Sequence, residues 1–229
     1  MNDFFKVYLE YGGEWIPRLL DAAGLTVVLS LLGFLLALLG GALLTAALRC
    51  GRPWLMKPAH FFVQVVRTVP LLALLLLLYF GLPPLGLTLT AFEAGVLGLG
   101  LHGAAYVAEI CRAGLNAIHP GQREAALAVG MTPAKAFVFV TLPQALRIML
   151  PPLLNTFVSL LKDSSLCALI ASNELMLAAR AMASEYFLPL HIFLLVGLFY
   201  FAIAFPLSIL SRRLERHLGR GRRGVGVSA

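Results

Sequence analysis

Two short stripes of ionisable and hydrogen-bonding residues stand inside apolar sequence. His102, Tyr106 and Glu109 recur at spacings of four and three, and share one face if the segment is a regular helix. Asn155, Ser159, Lys162 and Asp163 make a comparable stripe, continued by Ser164 and Ser165. Gln64, Arg67 and Thr68 add a third polar face. One chemistry for such a set is to hold a zwitterion. Its carboxylate seeks cations or backbone N–H groups, and its ammonium seeks carboxylate or carbonyl oxygens. The run Lys162 to Ser165 offers both signs of charge and two hydroxyls. Asp163 is the first choice for an ammonium contact, with Ser164 and Ser165 as its neighbours and Glu109 as a second candidate. The other chemistry is catalysis by His102, Glu109, Lys162 and Asp163, but the chain has no H-E-x-x-H and no G-x-S-x-G. A plain structural role also stays open. Lys162 and Asp163 can pair across helices only to hold a bundle together, and His102 can be a packing residue.

The elements that carry these residues are membrane spans. Hydrophobic residues make up 60% of the 229, and charged residues only 13%. Five runs reach the roughly 20 residues needed to cross a hydrocarbon core about 30 Å thick: 25–48, 59–81, 87–111, 148–171 and 187–210. An ionisable group placed in such a core costs about 2.5–3.5 kcal/mol, so the polar faces are expected to line a protein interior or a wet path. The net charge of +7 is spread over short loops and the tail, without the aromatic interleaving of a nucleic-acid surface. Its distribution sets orientation. Arg49, Arg52 and Lys57 follow the first run, Arg112, Arg123, Lys135 and Arg147 follow the third, and Arg212, Arg213, Arg216, Arg220, Arg222 and Arg223 follow the fifth. Those segments are expected in the cytosol, which places the N-terminus outside and the C-terminus inside.

The organisation that results is an extracytoplasmic N-terminal segment at 1–22, a transmembrane domain at 23–211 and a basic cytosolic tail at 212–229. The first segment mixes Phe4, Phe5, Tyr8 and Trp15 with Lys6, Glu10 and Glu14, which reads as a short helix lying in the outer interface. It lacks the basic start, apolar middle and cleavage site of a signal peptide, so it is expected to remain attached. Cys50, Cys111 and Cys167 are odd in number and have no metal-like spacing, so free thiols are expected.

One soluble-looking island, at about 116–145, interrupts the oil. Pro120 suits the first turn of a helix, Glu124 sits near its positive end, and Gly130 can adopt the left-handed conformation that stops it. Thr132 then caps a second helix that starts at Pro133 and is expected to end at Pro143. The product is a helical hairpin with one acidic residue on a surface of small residues.

Glu124-Ala125-Ala126, then three residues, Gly130, nine residues, Val140, one residue and Leu142-Pro143 resembles the EAA loop of ABC-importer permeases. The likeness extends to "AAYVAEICRAGLNAIHPGQREAA", "LPQALRIMLPPLLNTFVSLLKDSSL" and "RTVPLLALLLLLYFGLP", and these are similar to permease subunits of polar amino acid uptake systems of the histidine, arginine, glutamine and cystine kind. At Arg67-Thr68-Val69-Pro70 the chain departs from the arginine, glycine, threonine, proline usual there. The resemblance implies an all-α integral membrane fold of about five transmembrane helices, of the type I ABC importer kind, in a bacterial inner membrane. It implies a second, same or similar permease subunit, an extracytoplasmic binding protein that delivers the amino acid, and a separate ATPase dimer that binds ATP and magnesium and grips Glu124, Ala125, Ala126, Gly130, Leu142 and Pro143. That division of labour fits an absence: no lysine follows a glycine, so there is no phosphate-binding G-x-x-x-x-G-K-[ST] loop and no cofactor is expected in this chain. An intramembrane enzyme or a passive channel leaves the capped hairpin without a role.

Overall fold

The structure, a computed structural model, describes residues 2–219; Arg220, Arg222 and Arg223 of the expected tail lie outside the described residues. Nine α-helices occur among them, with no strand: α1 (Asn2–Arg49), α2 (Pro53–Thr68), α3 (Leu71–Leu76), α4 (Ala91–Asn116), α5 (Pro120–Ala128), α6 (Pro133–Ala136), α7 (Leu142–Asp163), α8 (Leu175–Tyr186) and α9 (Pro189–Gly219). Four continuous helical stretches are long and apolar enough to span a membrane, and a bent pair makes a fifth.

That pair corrects the second expected span. Instead of one rod over 59–81, α2 and α3 with its π-helical extension Leu77–Gly81 meet at 108°. Pro70 has no N–H to continue the ladder and crowds the residue before it, so Val69 is extended at φ −77°, ψ 129°. The third span runs later than 87–111, because the reciprocal Thr90–Glu93 capping box fixes the start of α4. The Glu93 carboxylate accepts the Thr90 N–H at 2.8 Å, and the Thr90 hydroxyl accepts the Glu93 N–H at 3.2 Å.

The expected short interfacial helix is also not a separate element. It is the first part of α1, which continues without a break for 48 residues. At 1.5 Å per residue that is about 72 Å, more than twice the thickness of the hydrocarbon core. The surplus docks on the protein: Trp15, Leu19, Ala22 and Ala23 are buried with Leu175, Ala179 and Met182 of α8 and Ile192 and Val196 of α9. The Arg18 guanidinium lies 2.8 Å from Glu185 on α8, and its hydrogen bond holds that carboxyl below the usual carboxylate range.

The core sits where α1 crosses α4, with α7 beside them; Leu29, Leu75, Leu99, Leu160 and Cys167 are its buried centre. The crossing is close because glycines line it. A Cβ on Gly33 would stand 2.8 Å from that of Leu99, one on Gly103 2.7 Å from that of Ala37, and one on Gly41 would run into Val107. Small residues let helix backbones approach where lipid offers no hydrophobic incentive to pack.

Beyond α7 the chain tightens into a 3-10 segment, Ser164–Ile170. A buried junction follows that sequence reading did not anticipate. Glu174 is 1% exposed, and its carboxylate accepts the N–H groups of Met176 and Leu177 at 2.9 Å each and the Tyr200 hydroxyl at 2.9 Å. The Leu175 N–H donates to the Thr26 hydroxyl at 3.0 Å, so α1, α8 and α9 meet at one satisfied polar knot.

Candidate functional site

The first two polar stripes meet. A cavity of about 340 Å³ lies between α4 and α7, lined by His102, Gly103 and Tyr106 on one side and Asn155, Thr156, Ser159, Leu160 and Asp163 on the other. On α7, residues 155, 159 and 163 succeed one another by one turn, and 102 and 106 do so on α4, so each helix presents an unbroken edge to the cavity. The volume is at the small end of the range for ligand pockets. A larger groove of about 700 Å³, bounded by Phe4, Phe5, Phe193 and Phe201 among others, is almost wholly apolar and offers a zwitterion nothing.

Two of the polar lining residues on α7 are held in place by hydrogen bonds. Asn155 Oδ1 accepts the Ser211 hydroxyl of α9 at 2.8 Å, and the same hydroxyl reaches the Pro151 carbonyl at 3.1 Å. The Thr156 hydroxyl donates to the Pro152 carbonyl at 3.0 Å. The His102 and Tyr106 rings stand 5.0 Å apart, and His102 Nδ1 is buried without a hydrogen-bond partner among the described residues. The cavity therefore carries one acidic side chain, Asp163, among hydroxyl, amide and imidazole groups. It can take the ammonium of a solute through charge-assisted hydrogen bonds.

Four of the seven residues expected on this path lie elsewhere. Lys162 is exposed and outside the lining, because one residue along a helix is a turn of about 100°. Ser164 is buried and donates to the Leu161 carbonyl at 2.7 Å, and Ser165 donates to the Lys162 carbonyl at 2.8 Å, so both hydroxyls serve the tightened end of α7. Glu109 lies beyond the lining, 2.6 Å from Arg112 and 3.9 Å from Arg67 of α2. Two residues were missed. Thr156 adjoins Asn155 but breaks the spacing of four, and Ser211 is 56 positions distant, with no local signal. The three thiols are free, Cys50 exposed and Cys167 buried.

The hairpin forms, with one correction. His119 caps α5 by accepting the Gly121 N–H at 3.1 Å. Gly130, at φ +85°, ends it: its N–H reaches the Leu127 carbonyl at 3.0 Å and the Met131 N–H the Ala126 carbonyl at 3.1 Å, the paired bonds of a Schellman turn. Thr132 caps α6 through the Lys135 N–H at 3.3 Å. Glu124, Ala125, Gly130 and Pro143 are exposed, whereas Ala126 is buried. Pro143 does not stop the second helix. A π-helical turn, Phe137–Thr141, precedes it, so that the Leu142 N–H reaches back to Phe137, and α7 continues from there. Widening the ladder just before the proline accommodates its missing donor. The stretch from Pro133 to Ile170 is consequently one rod of 38 residues. Gln144, near its hairpin end, donates to Gln122 of α5 at 3.3 Å.

Comparison with known proteins agrees. The profile of the family described as "Binding-protein-dependent transport system inner membrane component" matches residues 33–220. A probable glutamine ABC transporter permease, GlnM of Bacillus subtilis (strain 168), is 37% identical over 193 residues, covering 82% of this chain and 89% of its own. The arginine transport system permease ArtQ of the same organism is 33% identical over 205 residues, covering 89% and 93%. The crystal structure of an amino acid ABC transporter with histidines superposes with a TM-score of 0.84 at 33% identity, covering 89% of this chain and 95% of that one. These relatives are named as permeases and transporters, which lends no support to an intramembrane enzyme. With its spans, its hairpin and a match over most of its length, the chain belongs to the inner membrane components of binding-protein-dependent transport systems, as an amino acid ABC permease subunit.

Proposed function

We propose that this permease carries a polar amino acid inward by alternating access, with the cavity between α4 and α7 as its transient site and Asp163 as the ammonium contact. The observation that carries the reading is continuity. The second helix of the hairpin and the cavity residues Asn155, Ser159 and Asp163 lie on one helical rod, Pro133–Ile170. From Pro133 to Asp163 that rod is about 45 Å long at 1.5 Å per residue. A push on the hairpin displaces the cavity wall without any intervening loop.

The hairpin is the handle for an ATPase dimer, which supplies the nucleotide site, ATP and magnesium. Glu124, Ala125 and Gly130 present the contact surface, Ala126 seats α5 on its support, and Leu142 and Pro143 join the grip to the rod. A second permease of the same or similar kind completes the path, and an extracytoplasmic binding protein loads it. The assembly works in a bacterial inner membrane, with the hairpin in the cytosol. The test is co-purification with the partner ATPase of wild type, Glu124→Arg and Gly130→Val. Both variants are expected to lose at least nine-tenths of the bound ATPase, since one reverses the exposed charge and the other puts a β-branched side chain at positive φ. Full retention by both removes the handle.

A further inference from the structure

The cavity leaves one half of a zwitterion unanswered, and the geometry points to Arg67 as the residue that takes the solute's α-carboxylate. This rests on the reading of the cavity as the amino acid path. Neither lysine nor arginine is among its lining residues, so a carboxylate held there has no cation of its own.

Arg67 stands just behind the wall. Its guanidinium carbon lies 5.7 Å from the centroid of the Tyr106 ring, whose side chain lines the cavity. That is within reach of a cation–π contact, which orients the group while leaving its N–H donors free. Its ion pair does not tie it down. Arg67 Nη1 is 3.9 Å from Glu109 Oε2, whereas Arg112 Nη2 is 2.6 Å from the same oxygen and Arg112 Nε is 3.4 Å from the other. Glu109 is satisfied by Arg112, so releasing Arg67 leaves no unpaired charge. Arg67 is in the last turn of α2, beside the 108° break.

The axis is ordered as well. Along α4, His102 precedes Tyr106 and Glu109 toward the end where Arg49 donates to Asn116 at 2.9 Å. Along antiparallel α7, Asp163 precedes Ser159 and Asn155 toward that same end. The cavity thus has its anion at one end and Arg67 just beyond the other. An α-amino acid carries its two charged groups only about 3 Å apart, on one carbon, so with the ammonium drawn toward Asp163 the carboxylate is met when Arg67 leaves Glu109 and reaches in past Tyr106.

The test measures binding to the purified permease–ATPase complex without binding protein. The probes are L-glutamine, L-arginine and L-histidine, each against its decarboxylated amine: 4-aminobutanamide, agmatine and histamine. For the amino acid that binds best, the wild type is expected to prefer it over its amine at least tenfold. Arg67→Gln should bring that preference within twofold while binding the amine as well as the wild type does, and Arg67→Lys should retain part of it. Unaltered amine binding shows that the fold is intact, a result that a merely structural role for Arg67 does not produce. A tenfold preference persisting in Arg67→Gln, or equal loss of both ligands, overturns the assignment and leaves the cavity reading standing. Failure of every probe to bind the wild type at millimolar concentration overturns the cavity reading and this one with it.

Discussion

On the proposed reading the cavity's selectivity turns on Asp163, the one acidic side chain among the lining residues. A hydrogen bond to a charged group contributes about 1.5–3 kcal/mol, a factor of roughly 10 to 100 in affinity. Asp163→Asn keeps the shape and removes the charge. Amino acid uptake in proteoliposomes containing the whole transporter is therefore expected to fall at least tenfold, with the yield of assembled complex unchanged; uptake within twofold of wild type sinks the ammonium assignment. The pairing of Asn155, Ser159 and Asp163 with His102 and Tyr106 was legible beforehand, since helical period alone aligns each set. Lys162, three residues past Ser159, fits a helical stripe but falls on its outer edge, while Ser164 and Ser165 were grouped with Asp163 through adjacency in sequence, which on a helix separates side chains instead of gathering them. Ser211 was invisible because its link to Asn155 depends on how α9 packs on α7.

Prolines show at the scale of elements why a residue type does not by itself decide the outcome. Pro70 and Pro143 both interrupt apolar helical sequence, yet the chain turns by 108° at the first and runs on through the second. The difference lies upstream. Thr68 and Val69 end the α2 ladder with an extended residue, whereas the π turn at Phe137–Thr141 opens the ladder enough to keep the helix going. No local pattern in "FVFVTLP" announces that turn, so the stop expected at Pro143 was the natural reading. Glycines act differently: Gly33, Gly41 and Gly103 are the points where α1, α4 and α7 nearly touch. Gly41→Leu should consequently wedge the α1–α4 crossing, since even one surplus methylene in a packed core costs about 1–3 kcal/mol. The melting temperature of the purified protein is expected to drop by about 5 °C or more. Gly24→Ala, at a helical site with nothing within 4 Å of the added Cβ, should leave it unchanged or raise it slightly. Equal melting of all three proteins contradicts this packing.

Orientation belongs to the whole molecule, and it decides whether the hairpin can meet a cytosolic ATPase at all. Arg49 ends the first span and Arg112 lies a turn before the end of the third, Arg123 and Lys135 lie on the hairpin between α4 and α7, and Arg212, Arg213 and Arg216 are in the last turns of α9. At the opposite end Arg18 is matched by Glu185 at 2.8 Å and Glu14 at 3.6 Å, so its charge is locally compensated. Because basic residues beside spans are retained on the cytosolic side, the end bearing the hairpin should face inward. The protein carries its own reporter for this, since Cys50 follows α1 at the basic end and is exposed, while Cys167 is buried. A membrane-impermeant maleimide should label Cys50 in inside-out vesicles and spare it in right-side-out ones. Ser184→Cys, on the exposed face of α8, should give the reverse in a Cys50→Ala background. The opposite pattern would place the hairpin outside, where no ATPase could hold it, and the long rod from Pro133 would then have nothing to drive it.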